Sequence, residues 1–191
     1  MPIWLTETEH RILTAVCDRL IPGEAGAGDD GPGAGEAGAA DYVDTLLGAF
    51  SFDPPRIWAG GPASGRHGGS PGFARFHRLG RLDELAWRTR IEGSRGIAER
   101  ERNGPVAGLQ DQYRQGLAAL GGDFCDLAHE EQDARLLSRP DFTRLAYGHT
   151  CEAMYGAPEY GGNRDGVGWR RIGFAGDVQP RGWTDEEVAG A

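Results

Sequence analysis

The chain has 191 residues, of which 32 are Gly and 11 Pro, with a hydrophobic fraction of 39% and a formal net charge of −9 at pH 7. That length suffices for one domain with a real core, here taken as 1–191, and the glycine and proline content predicts long irregular connections. All 20 basic residues are arginine, which removes lysine Schiff-base chemistry, and the acidic balance argues against nucleic acid, whose binding needs clustered positive charge to displace counterions.

In chain order, Thr6 and Glu9 form a capping box ahead of Ile12, Leu13, Val16, Leu20 and Ile21, which predicts a helix from about Glu7 to Ile21. Pro22 and Gly23 end it. Residues 23–38 (GEAGAGDDGPGAGEAG) lack large apolar anchors and read as a flexible solvated loop; Asp29, Asp30 and Glu36 miss the alternating ligand spacing of a calcium loop. A second helix starting near Gly38 carries Tyr42, Val43, Leu46, Leu47 and Phe50 on one face, with the first helix as its expected partner. The long loop 51–74 contains Phe52, Ile57, Trp58 and Phe73, more large apolar groups than a disordered linker holds, and is read as a partner-facing loop. Its GGPASGRHGG lacks the Lys and the strand that a Walker phosphate loop requires.

A third helix starts at Arg81 with Leu82, Leu85, Ala86 and Thr89, and is interrupted at Gly93 and Gly96. A fourth repeats Leu109, Tyr113, Leu117 and Leu120 at spacings of three or four and stops at Gly121 and Gly122. Phe124, Leu127, Leu136 and Leu137 mark one or two short helices. The last long helix, from about Pro140 to Tyr155, buries Phe142, Leu145, Ala146, Thr150 and Met154. No segment alternates with the period of two that a sheet needs, so the expected fold is all-α, one domain of five to seven helices.

Beyond Gly156 the run PEYGGNRDGVGWRRIGFAG (158–176) alternates glycine with large aromatics, which predicts an ordered, irregular segment extending as a loop and tail to about 183. This run, together with the opening LTETEHRILTAVCDRLIPGE and GAADYVDTLL, resembles the small subunit, subunit 3, of the gluconate 2-dehydrogenase type of flavoprotein complex. The resemblance covers both ends of the chain and, more loosely, its middle. It implies a non-catalytic subunit that binds a large FAD-dependent oxidoreductase of the glucose-methanol-choline (GMC) class, with FAD held by that partner and a cytochrome c subunit as a further member of such assemblies. Relatives often carry an export signal or travel with a partner that does. The start MPIWLTETEH has no basic-then-apolar leader, and no apolar run approaches the roughly 20 residues of a bilayer span. The chain alone is therefore expected in the cytoplasm, and outside it only if a partner's signal carries it.

Residues with chemical potential were weighed in turn. His149 and Cys151 lie two apart on a helix and so point in nearly opposite directions, which disfavours a shared metal. Asp165 and Glu159 near Arg164, Arg170 and Arg171 read as loop scaffolding, and Asn163 as a residue whose amide bonds backbone groups while its own backbone turns left-handed. Cys17, Cys125 and Cys151 form no CxxC and are odd in number, so reduced, mostly buried thiols are expected. No serine sits in a G-x-S-x-G elbow. No catalytic, cofactor or metal residues are assigned. The candidate partner interface comprises Trp58, His149, Tyr160, Gly161, Gly162, Asn163, Arg164, Trp169, Phe174 and Trp183, because aromatic residues and arginine dominate interface energetics. Two other functions fit less well: a chaperone for folding or co-export of the flavoprotein, and an independent enzyme with a site near His149, Asn163 and Arg164.

Overall fold

Local signals place the helices. In the computed structural model, which describes residues 1–23, 31–57 and 79–174, α1 spans Glu7–Leu20 and opens on the capping box, with Glu9 N donating to Thr6 Oγ1 at 3.2 Å and Thr6 N to Glu9 Oε2 at 2.8 Å. The further helices are α2 (Ala39–Leu47), α3 (Arg81–Glu92), α4 (Leu109–Leu120), α5 (His129–Leu137), α6 (Pro140–Tyr155) and α7 (Val167–Arg171). The described residues contain no strand, and the fold is all-α. Gly121, in positive φ, ends α4, and Pro140 occupies the first turn of α6, where its missing N–H costs nothing.

The core lies where α1 meets α2, α4, α5 and α6. Leu13, Val16 and Cys17 of α1 face Val43 and Leu47 of α2, Tyr113, Leu117 and Leu120 of α4, and Ala146, Ala153 and Met154 of α6, all buried. The α4 stripe is buried at each expected position. Gly116 adds what the stripe did not reveal: a Cβ there would overlap the Phe142 ring, so glycine sets how closely α4 and α6 approach.

Three expectations are corrected. Residues 31–38 are not a solvated loop. Ala34 and Ala37 are buried, Ala34 N donates to Ile21 O at 2.9 Å, and Gly35 N donates to Asp18 Oδ1 at 2.8 Å. Small residues close-pack on α1 because they need no room, a capacity that an argument from large apolar anchors misses. Helix α3 keeps its start but not its face: Leu82 and Ala86 are exposed, Ile91 is its buried residue, and Trp87 packs against the core edge. The segment after Gly156 is more regular than expected. It forms 3-10 turns at Pro158–Tyr160 and Arg164–Gly166 and then α7, so that Trp169 lies within a helix.

Asp44 was not singled out by the sequence, yet it anchors the N-terminus. This buried carboxylate on α2 accepts the backbone N–H groups of Ile3 (2.5 Å), Trp4 (3.0 Å) and Leu5 (2.7 Å), charge-assisted bonds that satisfy it with no basic partner among the described residues. Arg19 of α1 grips Asp133 of α5 in a two-pronged ion pair at 2.8 and 2.7 Å. That pair holds the Asp133 carboxyl below its ordinary range and raises the Arg19 guanidinium.

Candidate functional site

The candidate site begins at the end of α6. A helix leaves its last carbonyl groups without intrahelical donors, and here the following segment supplies them. Trp169 Nε1 donates to Tyr155 O at 2.7 Å, and Asn163 Nδ2 donates to Gly156 O at 2.8 Å. The other end of the same Asn163 amide accepts Gly168 N at 2.8 Å, in the first turn of α7. Asn163 is 0% exposed with φ 45° and ψ 45°, so the expected role for it, backbone bonding from a left-handed conformation, is what it performs.

The glycines around it are steric requirements. At Gly168 a Cβ would overlap the Met154 carbonyl oxygen, and at Gly162 it would lie 2.5 Å from Ala153 O. Both glycines let the segment lie directly on the α6 backbone. Arg164 then ties it to α2: its N donates to Ala37 O at 3.1 Å, Nη1 to Glu36 O at 3.3 Å, and Nη2 pairs with Asp41. Asp41 in turn meets His10 Nε2 at 2.8 Å, so α1, α2 and the segment share one polar chain.

What this scaffold presents is an aromatic strip. On α6 Tyr147 and Gly148 are exposed, with open space beside Gly148, and one and two turns on Cys151 and Tyr155 are half-buried against the edge of the core. The neighbouring Cys151 thiol pushes the Tyr147 pKa up, with burial and the nearby Tyr155 adding to the shift. Tyr155 leads through its carbonyl to Trp169, and the Trp169 ring meets Phe174 edge-on at 5.1 Å between centroids. Tyr147 is 51% exposed, Ile172 57% and Phe174 48%.

His149 lies on the opposite face of the same helix and is not a surface residue: it is 4% exposed, shares a hydrogen bond with Tyr113 Oη through Nδ1 at 2.8 Å, and stacks on the Tyr113 ring. Burial pushes its pKa down, with Arg90 adding to the shift and Glu152 opposing it. The α-helical period decides this, since residues 149, 150, 153 and 154 all turn inward. Of the other expected interface residues, Asn163 and Gly162 are buried as structural groups, Gly161 is exposed in positive φ, and Tyr160 is half-buried beside Tyr42, Arg56 and Ile57. Arg164, Trp169 and Phe174 reach the surface. Trp58 and Trp183 lie outside the described residues.

The arrangement offers little to chemistry. His149, Asn163 and Arg164 send their hydrogen bonds to three different places, Tyr113, the α6–α7 junction and α2. The buried Cys17 thiol is pushed up to about 12 by burial, opposed by a contact with the Thr150 hydroxyl at 3.5 Å, and is no nucleophile in that state. Among the described residues no group of three or more His, Cys, Asp and Glu could hold a metal ion, and no helix is long and apolar enough to cross a membrane.

The family model for gluconate 2-dehydrogenase subunit 3 matches residues 7–176, a span that runs from the first residue of α1 through the whole clamp on α6. No curated protein and no solved structure matches the chain.

Proposed function

The chain belongs to the gluconate 2-dehydrogenase subunit 3 family, and from that premise we propose that it serves as the non-catalytic small subunit of an FAD-dependent oxidoreductase of the GMC class acting on a sugar, sugar acid or related alcohol. The flavin and the catalytic base belong to the large subunit, and this chain binds and stabilises it. A cytochrome c subunit completes the assembly where electrons leave through haem, and the compartment follows from the partner's signal.

The observation that supports this reading is the aromatic strip from Tyr147 to Phe174. Tyr147 on α6 and Ile172 and Phe174 on the segment held by Asn163, Gly162 and Gly168 stand about half in water, with Trp169 partly buried between them. Rigid aromatic anchors lose little entropy on binding and dominate interface energetics. The residues that hold the strip in place make contacts inside the chain, so its shape exists before a partner arrives.

Affinity capture of the chain from its native cells, with the captured protein scanned for flavin absorbance, tests the reading. A flavoprotein at a one-to-one ratio is expected, and the double variant Ile172→Ser with Phe174→Ala is expected to lose it while keeping its helical content. A flavoprotein that matures with full flavin and activity in the absence of this chain would overturn the subunit role. One that needs the chain to mature but leaves it behind would assign the chaperone role instead.

A further inference from the structure

A second concavity, of about 300 Å³, lies between the N-terminal segment, the end of α2, the end of α3 and the first turns of α4, lined by Trp4, Phe50, Glu92, Arg95, Gln110 and Arg114 with Leu47 and Ser51. None of these residues belongs to the aromatic strip. In a chain of net charge −9, this spot runs the other way. Its one carboxylate, Glu92, is taken by two arginines from outside the lining, Arg88 Nη1 and Arg100 Nη2, each at 2.9 Å. Among the described residues no carboxylate pairs with Arg95 or Arg114. Two guanidinium groups therefore face the concavity uncompensated.

Both are held in place. Arg95 Nε donates to Glu92 O and Nη2 to Gln110 Oε1, each at 2.8 Å, while the buried Gln110 is fixed by its own bond from Nε2 to Leu47 O at 2.8 Å. Arg95 takes this position at φ 47°, a left-handed conformation that a side chain with a Cβ adopts only where its surroundings enforce it. The Arg114 guanidinium lies 4.5 Å over the Trp4 ring, and Trp4 is pinned by its backbone bond to Asp44. Stacking occupies the face of a guanidinium and leaves its in-plane N–H donors free, the geometry that matches a planar carboxylate.

We propose that this concavity is a binding site for a small organic acid, its carboxylate taken by Arg114 and Arg95 and its short apolar body resting against Trp4 and Phe50. The volume suits a ligand of that size. Arginine takes carboxylate and phosphate alike, so it is the aromatic lining, Trp4 and Phe50, that favours an anion with an organic body over inorganic phosphate. This site stands independently of the subunit reading.

Titration calorimetry on the full chain tests it, with benzoate as the probe and benzyl alcohol, inorganic phosphate and chloride at matched ionic strength as comparisons. Saturable benzoate binding is expected, weakened about tenfold or more by Arg114→Gln, as loss of a charge-assisted bond implies. Arg95→Asn, which tolerates the left-handed backbone, is expected to weaken it similarly. Equal binding of benzyl alcohol, tighter binding of phosphate, no saturation, or unchanged affinity in both variants would each overturn the assignment. Binding that disappears in the complex with a captured partner would give the pocket to a partner's carboxylate and overturn the free acid as its ligand.

Discussion

The two faces of α6 invert the usual placement of residues, polar groups inward and aromatic ones outward. Inward, His149 and Thr150 are polar groups in the core, each with a partner: His149 bonds Tyr113, and Thr150 Oγ1 donates to Ala146 O at 2.7 Å. Outward, Tyr147 and Tyr155 are large apolar groups left partly in water. A polar group in the core needs a fixed hydrogen-bond partner, whereas an aromatic group on the surface costs little until a partner covers it. The inner face therefore answers to stability and the outer face to association, and substitutions separate the two.

The largest effect is expected at the seam where the signature lies on α6. Gly168→Ala puts a Cβ into the Met154 carbonyl oxygen, a backbone atom that cannot turn aside, and is expected to cost about 3 kcal/mol by overpacking. The midpoint of urea unfolding measures it, and a wild-type midpoint would mean that α7 does not rest on α6. Asn163→Leu removes both ends of the amide clamp and leaves a branched side chain in left-handed backbone; about 2–3 kcal/mol is expected from the orphaned buried groups and the strain. Asn163→Asp, which keeps the acceptor for Gly168 N but loses the donor to Gly156 O, should fall between.

Next comes the inner face. Tyr113→Phe leaves His149 Nδ1 without its partner and is expected to cost about 1–2 kcal/mol. The same ring sets a pH dependence. Burial lowers the His149 pKa below the ordinary value of 6.5, so in the window beneath 6.5 the unfolded chain binds the proton that the folded chain refuses. Stability is accordingly full above 6.5 and falls as the pH drops through that window. Thermal melts of wild type and His149→Gln across pH 5 to 8 should show a shallower acid decline in the variant. Equal slopes would place the charge-sensitive group elsewhere.

The smallest effects on stability are expected on the outer face. Tyr147→Ser and Arg144→Ala, the latter losing an exposed pairing with Asp141 at 3.9 Å, should each stay within about 0.5 kcal/mol. Tyr147→Ser should nevertheless weaken capture of the flavoprotein. A large loss of stability in Tyr147→Ser would erase the contrast between the two faces.

Much of the helix inventory was legible because its signals are local. The capping box at Thr6 and Glu9, Pro140 in a first turn and Gly121 after a last one each act over a few residues of chain, and the α4 stripe needs only the helical period. Asn163 was legible for the same reason, since its preference for left-handed backbone is its own. The interface set fared less evenly. Of the aromatics nominated by residue type, Phe174 is exposed and Trp169 is partly buried, and the same reasoning nominated His149, whose position on the inner face follows from period and packing together. Asp44, Gly116 and the small residues around Ala34 gave no signal, because each matters only through what another segment brings against it.

The sequence by itself determined an all-α chain, the caps and stops of α1, α4 and α6, and its family, all of which rest on short-range preference or on a contiguous motif. Tertiary structure alone decided that glycines 162 and 168 are contact points with α6, that the Asn163 amide joins two helices, and that Arg95 and Arg114 converge beside Trp4 from separate elements. The physical reason is range. A backbone preference belongs to a residue and its neighbours, whereas a close approach or an uncompensated charge is a property of distances between segments that the chain order does not contain.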